Sequence, residues 1–206
     1  KGQVRLSEND DLVAAFASLN TNDAILEEMI PFHAEASFLV ARAIDGSLSS
    51  FPASLNEHKN GILRRSLAPA ALPDAVINEG KAAVSALAEA LDLVGLLALE
   101  TFVTEDSRLL FNEIAPRPHN SFHWSIEGCE TSQFTQLIRA VAGLPLGTTN
   151  CYGTWQMDNL LGEDMDSLEM LANKAGLHVH LYGKAEAKNG RKMGHTNQQI
   201  SSKPIA

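Results

Sequence analysis

Residues 111–124 read FNEIAPRPHNSFHW and crowd Asn112, Glu113, Arg117, His119, Asn120 and Ser121 between apolar anchors, around two prolines. A segment with that density of charge and hydrogen-bonding groups reads as one that faces a ligand. Upstream, the apolar runs 96–103 and 109–114 flank the polar turn TEDSR and read as a β-hairpin. If its two-residue turn is Asp106-Ser107, Glu100 stands directly opposite Glu113. Two carboxylates so placed repel each other among apolar neighbours, and a shared cation removes the conflict. One or two carboxylates plus ligand phosphates are the usual surroundings of Mg²⁺, and Asn112 can add an oxygen. The alternative is that one glutamate turns to solvent or pairs with Arg117. A turn slipped by one residue would also separate the two faces.

Other elements must hold these groups in place. Residues 36–43 and 48–52 around Asp45-Gly46 predict a further hairpin. The apolar spacing of Val76, Ile77, Val84, Leu87 and Leu91, opened by Pro73 and Asp74, predicts a helix over 73–91. A second helix is expected over 132–142, burying a stripe of Phe134, Leu137, Ile138 and Val141 and closed by Gly143 and Pro145. After a boundary near 146–150 come a strand over 155–161, a helix over 166–174 with Gly176 past its end, and strands over 177–187 and 192–196. Asn189-Gly190 reads as a type I′ turn joining the last two.

With 45% hydrophobic residues the chain can bury a core, and its longest apolar runs are too short to span a bilayer. No export signal is evident. A formal charge of -9 argues against nucleic acid as a partner. The basic residues that do cluster, Arg64-Arg65 and Lys184, Lys188, Arg191 and Lys192, point to a small phosphorylated ligand or to two solvated faces. Cys129 and Cys151 lack CxxC spacing and read as free or buried thiols suited to a reducing cytosol. His178 and His180 share a strand face but lack a third ligand, so packing or a surface position is the expected role. The opening KGQ, without methionine, reads as a piece of a longer chain.

The segments NEIAPRPHNS (112–121), TSQFTQLIRAVAGLPLG (131–147) and YGKAEAKNGRKMGH (182–195), with NGILRRSLAP and LVGLLALETFVTED upstream, closely resemble the N5-carboxyaminoimidazole ribonucleotide synthase family of the ATP-grasp superfamily. The resemblance implies an α+β fold in which residues 1–147 are the C-terminal part of an ATP-grasp domain. Residues 148–206 would be a small β-rich domain of the rudiment single hybrid type, and an N-terminal α/β domain is absent. It implies an ATP-dependent carbon–nitrogen ligase of purine synthesis, working in the cytoplasm as a homodimer with ATP and Mg²⁺. Its small-molecule substrates would be ATP, bicarbonate and 5-aminoimidazole ribonucleotide, with neither nucleic acid nor membrane as a partner.

Residue by residue, the resemblance matches Glu27, Glu28, Met29 and Ile30 to a hinge strand that binds adenine, Glu35 to the acid on the ribose, and His58 to a histidine near the nucleotide. Glu100, Asn112 and Glu113 match magnesium and phosphate positions. Arg117, His119, Asn120 and Ser121 match the loop around bicarbonate and the reacting amine. Lys184 and Arg191 match ligands of the ribonucleotide 5′-phosphate, with Lys192 beside them. Lys-Gly-Gln at the start resembles the end of a glycine-rich phosphate loop. Phe122 departs from the family's glycine and is expected to crowd the substrate or to demand another backbone angle. The rivals are an ATP-grasp enzyme that activates formate for glycinamide ribonucleotide, and a nucleotide-binding module without turnover.

Overall fold

The computed structural model describes residues 2–203, so Lys1 of the opening tripeptide lies outside it. The chain divides into two units, one ending at Ile30 and one beginning at Pro31. In the first, helix α1 (Leu12–Ser18) is opened by Asp11, whose carboxylate accepts from the backbone of Val13 and Ala14 at 2.9 and 3.1 Å. No strand forms over Glu27–Ile30, where the resemblance had placed a hinge strand; the segment has no backbone ladder, and regular pairing begins only after Pro31.

The second unit is built on one antiparallel sheet. Its strands are β1 (Ala34–Arg42), β2 (Leu48–Ser50), β3 (Ser54–Lys59), β4 (Ile62–Ala68), β5 (Gly95–Val103), β6 (Leu109–Ala115), β7 (Thr154–Leu161), β8 (Leu177–Leu181) and β9 (Lys192–Ser201). The order is β6-β5-β1-β3-β4-β7-β9-β8, with β2 paired to β1 as the first expected hairpin. The expected boundary near 146–150 does not interrupt the sheet, because β4 pairs with β7 from Arg65↔Asp158 to Ala68↔Trp155.

Alternation along β1 and β5 gives the sheet two buried faces. Phe38, Val40, Leu97 and Leu99 pack under helix α2 (Asp74–Ala90) with Val76, Val84 and Ala88. Gly80 of α2 lies flat on the Phe38 ring, where a Cβ would come within 2.1 Å of it. Leu39, Ala41, Leu96 and Ala98 face the other way, onto Phe122, Trp124 and Trp155. Phe122 therefore fills the core at 0% exposure, its ring 6.2 Å from those of Phe51 and Trp124. It does not crowd a ligand, contrary to the expectation from the missing glycine.

Three local readings change. The β5–β6 turn is not two residues long: Thr104 pairs with Arg108 around Glu105, Asp106 and Ser107, and Ser107 takes the left-handed conformation at φ 62°. Asn189-Gly190 is not type I′, since only Gly190 has positive φ; β8 ends at Leu181, leaving 182–191 as a loop. Over 162–174 a 3₁₀ segment (Gly162–Ser167) precedes the short helix α5 (Leu168–Ala172) instead of one helix; Asn173 caps it, and Gly176 lies past its end at φ 74°.

Helix α4 (Gln133–Val141), N-capped by Ser132, buries Gln133, Gln136 and Ala140, while Phe134, Ile138 and Val141 are exposed. The expected apolar stripe thus faces outward, with Leu137 alone packed on the core. The reason is hydrogen bonding. The Gln136 amide donates to Gly147 O at 2.8 Å and accepts from Gly147 N at 2.9 Å, as one peptide pairs with another. Gln133 does the same for His119, accepting from its N–H at 2.8 Å and donating to its carbonyl at 2.9 Å. Buried backbone groups need such partners, and the need overrides the amphipathic pattern.

Candidate active site

Two departures from regularity bring the carboxylates together. The three-residue turn sets Val103↔Leu109 and Thr101↔Phe111, a register that by itself would set Glu100 opposite Asn112. A bulge at Asn112 then restores Glu100↔Glu113. The pair expected from sequence is correct, while the two-residue turn used to reach it is not. Glu100 is largely buried and Glu113 exposed at the sheet edge.

His119 completes the cluster. Ligating atoms of Glu100, Glu113 and His119 all lie within 4.8 Å of one another. The residue sits on the loop after β6, 7% exposed, with Nε2 3.4 Å from Glu100 Oε1. Its Nδ1 lies 2.8 Å from Ser121 Oγ and receives the Ser121 backbone N–H at 3.5 Å. We assign the ring proton to Nε2 from this network, because Nδ1 is the acceptor. Burial, reinforced by the positive charges of Arg117, Lys192 and His58, lowers the His119 pKa to about 4, so the ring is neutral at neutral pH. Burial also raises the Glu100 pKa; Glu113 and Glu35 add to that, against His58 and Lys192.

The wall beside these groups is a polar seam across β1, β3 and β4. Glu35 Oε2 meets His58 Nδ1 at 2.8 Å. Asn56 donates to Ser37 Oγ at 2.6 Å and accepts from Ser66 Oγ at 2.8 Å, fixing its amide orientation. Beyond the loop, Asn159 Nδ2 donates to Leu63 O and Asn159 Oδ1 accepts from Asn120 Nδ2, both at 2.9 Å. This relay leaves Asn120 Oδ1 as a buried acceptor without a protein donor.

The other expected residues divide. Asn112 is the exposed bulge residue, and Arg117 is exposed, with Nη1 3.0 Å from Pro118 O. Lys192 acts on the cluster, since its charge bears on Glu100, His119 and His123. Lys184 donates to the Lys192 carbonyl at the start of β9 at 2.5 Å, and Arg191 to the loop carbonyl of Glu186 at 3.2 Å. Arg64 and Arg65 are taken up by Asp164 at 3.0 Å and Asp158 at 2.7 Å. His178 and His180 pack: His180 Nε2 meets Glu127 Oε1 at 2.7 Å, and His178 lies against Trp155. Glu27, Glu28 and Met29 are exposed and Ile30 half-buried in the first unit.

Sequence reasoning missed the Gln133 clamp, the Asn159 relay and a group formed by the buried His195, the half-buried His123 and the exposed Tyr182, where Tyr182 Oη lies 2.9 Å from His195 Nδ1. The one available signal for Gln133 was its place directly after the Ser132 cap. No helix among the described residues is long and apolar enough to cross a membrane.

An antiparallel sheet that gathers carboxylates from adjacent strands beside a polar loop is what an ATP-grasp domain offers to a nucleotide's phosphates. The family model for that domain matches residues 1–134, and the chain belongs to the ATP-grasp family. A second model, the phosphoribosylaminoimidazole carboxylase C-terminal domain, matches 156–203. The N5-carboxyaminoimidazole ribonucleotide synthase of Brucella melitensis is 46% identical over 200 residues, covering 96% of this chain and 55% of that protein. The crystal structure of an N5-carboxyaminoimidazole ribonucleotide synthetase with ADP superposes at TM-score 0.91 and 44% identity, over 96% of this chain and 52% of that one. The synthase of Aspergillus clavatus in complex with ADP and 5-aminoimidazole ribonucleotide gives 0.84 at 27% identity, over 94% and 54%. The chain thus spans about half the length of the relatives it matches.

Proposed function

We propose that this chain is the ATP-grasp and C-terminal portion of an enzyme that carboxylates 5-aminoimidazole ribonucleotide with ATP and bicarbonate, yielding the N5-carboxy product, ADP and phosphate. The observation that supports it most is the convergence of Glu100, Glu113 and His119 beside the Asn120 loop. The two carboxylates fit Mg²⁺, which takes hard oxygen ligands, and the buried, mutually repelling charge is what a cation relieves. Mg²⁺ held by Glu100 and Glu113 would neutralise the charge of the nucleotide phosphates. His119, with its proton on Nε2, orients Glu100 and is not itself counted as a ligand.

The residues of the loop then act by position and charge. Arg117 offers a guanidinium to the negative charge that spreads as bicarbonate attacks the γ-phosphorus to give carboxyphosphate. Asn120 Oδ1, left without a protein donor while Asn159 holds the amide nitrogen, is the acceptor for an N–H of the amine. Ser121 fixes the His119 ring, which is a positioning role; it does not reach toward substrate. Lys192, with Lys184 and Arg191, supplies positive charge for the ribonucleotide phosphate. Glu35 and His58 line the nucleotide side; the adenine role of Glu27–Ile30 rests on the family resemblance alone. Homodimeric assembly and a cytosolic location belong to the same proposal and rest on the family resemblance.

The test uses the intact protein with ATP, labelled bicarbonate and the ribonucleotide. Label entering the product in step with ADP release is expected. ATP turnover without label in the product, or turnover supported by formate with glycinamide ribonucleotide, would overturn the assignment.

A further inference from the structure

Cys129 closes helix α3 (Ser125–Gly128), and Cys151 precedes β7; the two are partners in an isolated antiparallel bridge. The bridge is flanked by two backbone bonds, Glu130 N to Asn150 O at 3.1 Å and Tyr152 N to Gly128 O at 2.9 Å. Bonds outside the pair and none within it define the narrow type of antiparallel pair. There the Cα atoms stand about 4.5 Å apart with side chains closer than at other sites. That separation falls within the roughly 4.4–6.8 Å range of disulfides. The two segments are further tied by Tyr152 Oη to Glu130 Oε1 at 2.5 Å and Asn150 Nδ2 to the same oxygen at 3.4 Å. Gly128 is wedged between the Trp124 and Trp155 rings, where a Cβ would come within 2.9 Å of each.

We propose that Cys129 and Cys151 are a reversible dithiol–disulfide site, oxidised by peroxides or small-molecule disulfides. The proposal does not depend on the ATP chemistry. The thiols are unequal, which sets the order of attack. Cys129 is 8% exposed in the core, whereas Cys151 is half-buried. Cys151 Sγ donates to Gly153 O at 3.4 Å; the neighbouring Cys129 thiol lowers the Cys151 pKa, while Cys151 and burial raise that of Cys129. Cys151 is therefore the attacking thiolate and Cys129 the resolving thiol.

With hydrogen peroxide, the Cys151 sulfur takes one oxygen as the O–O bond breaks, giving a sulfenic acid and releasing water. Cys129 sulfur then attacks Cys151 sulfur, the S–O bond breaks, and a second water carries off the hydroxyl and the Cys129 proton. Two thiols and one peroxide become one disulfide and two waters. With a disulfide such as oxidised glutathione, Cys151 forms the mixed disulfide and Cys129 displaces the second glutathione. The oxidised bridge would fasten the end of α3 to the start of β7.

The experiment exposes the intact folded protein to hydrogen peroxide or to oxidised glutathione. It then quenches with acid, alkylates remaining thiols in denaturant and digests with trypsin. Peptides 109–139 and 140–174 carry the two cysteines. They are expected joined, two hydrogens lighter than their sum, and released by dithiothreitol. Cys129→Ser is expected to stop at a sulfenic acid or a glutathione adduct on Cys151. Both peptides alkylated after oxidation, a stable glutathione adduct on Cys151 in the unsubstituted protein, or a link forming equally fast in urea-unfolded chain would each overturn the proposal.

Discussion

At the scale of single residues, the site holds charge under tension. Burial raises the Glu100 pKa, so ionising this carboxylate costs folding free energy. The sign follows from linkage. A carboxyl whose folded pKa lies above its unfolded value loses stability for the fold as pH rises between the two, and the loss is complete once pH exceeds the folded pKa. Glu100→Gln is therefore expected to melt higher than the unsubstituted protein in the absence of metal, by about 2–4 °C for each ~1 kcal/mol relieved. It should also lose the stabilisation that Mg-ATP gives, and about 10²-fold or more of kcat/KM. Scanning calorimetry with and without Mg-ATP, beside a phosphate-release assay, checks both halves. A variant that melts lower without metal would show that Glu100 is a structural ion-pair partner. Asn120 carries a second expectation. Asn159→Leu removes the group that fixes the Asn120 amide, and kcat should fall about tenfold, the weight of one hydrogen bond of ~1.4 kcal/mol, with the KM for ATP unchanged. An unchanged kcat would remove Asn120 from the proposed role.

At the scale of elements, the site depends on a helix that reads poorly in sequence. Gln133 pairs both backbone groups of His119 and also meets His123 Nδ1 at 2.8 Å. Gln133→Ala leaves a buried N–H and a buried carbonyl without partners, at about 1–3 kcal/mol each. Its melting temperature should drop by several degrees and its kcat by more than its KM values. Gln133→Glu keeps the acceptor for His119 N–H and should recover part of the loss; equal damage from both changes would refute the clamp. Legibility in sequence follows the same line. The first hairpin and α2 were readable because local rules set them: Asp45-Gly46 for a turn, Pro73-Asp74 for a helix start, alternation and 3.6-residue spacing for faces. The outward stripe on α4 was not readable, because Gln133 and Gln136 are pulled inward by carbonyls that lie far away or in a later loop. The Glu100–Glu113 pair was legible only in outcome. The extra turn residue and the Asn112 bulge are equal and opposite errors in register, and no local signal reveals either. The Asn120–Asn159 relay joins residues 39 positions apart, a distance over which spacing carries no information.

At the scale of the whole molecule, one sheet runs from the carboxylate hairpin through β4 and β7 to β9, so the Glu100–Glu113 strands and the Lys192 strand share a frame. Between them lies a store of buried neutral histidines with a consequence for pH. Burial lowers the pKa of His119 and His123 to about 4 and that of His195 to about 3, with neighbouring positive charge adding to each. In the unfolded chain all three titrate near 6.5. The folded form therefore has its full share of stability from these rings above that value. It loses stability as pH falls toward 4, because only the unfolded state takes up the protons. Each ring adds about 1.4 kcal/mol per pH unit over that window. Urea unfolding followed from pH 7 to pH 5 is expected to show a falling midpoint and an uptake approaching three protons from these residues. Glu100 works in the opposite sense, since its raised pKa favours the fold as pH drops. The histidine share is therefore isolated by substitution: His195→Gln should reduce the uptake by about one proton at pH 5. An uptake unchanged by that substitution would mean that His195 is already charged in the fold, and that Tyr182 and the neighbouring rings do not keep it neutral.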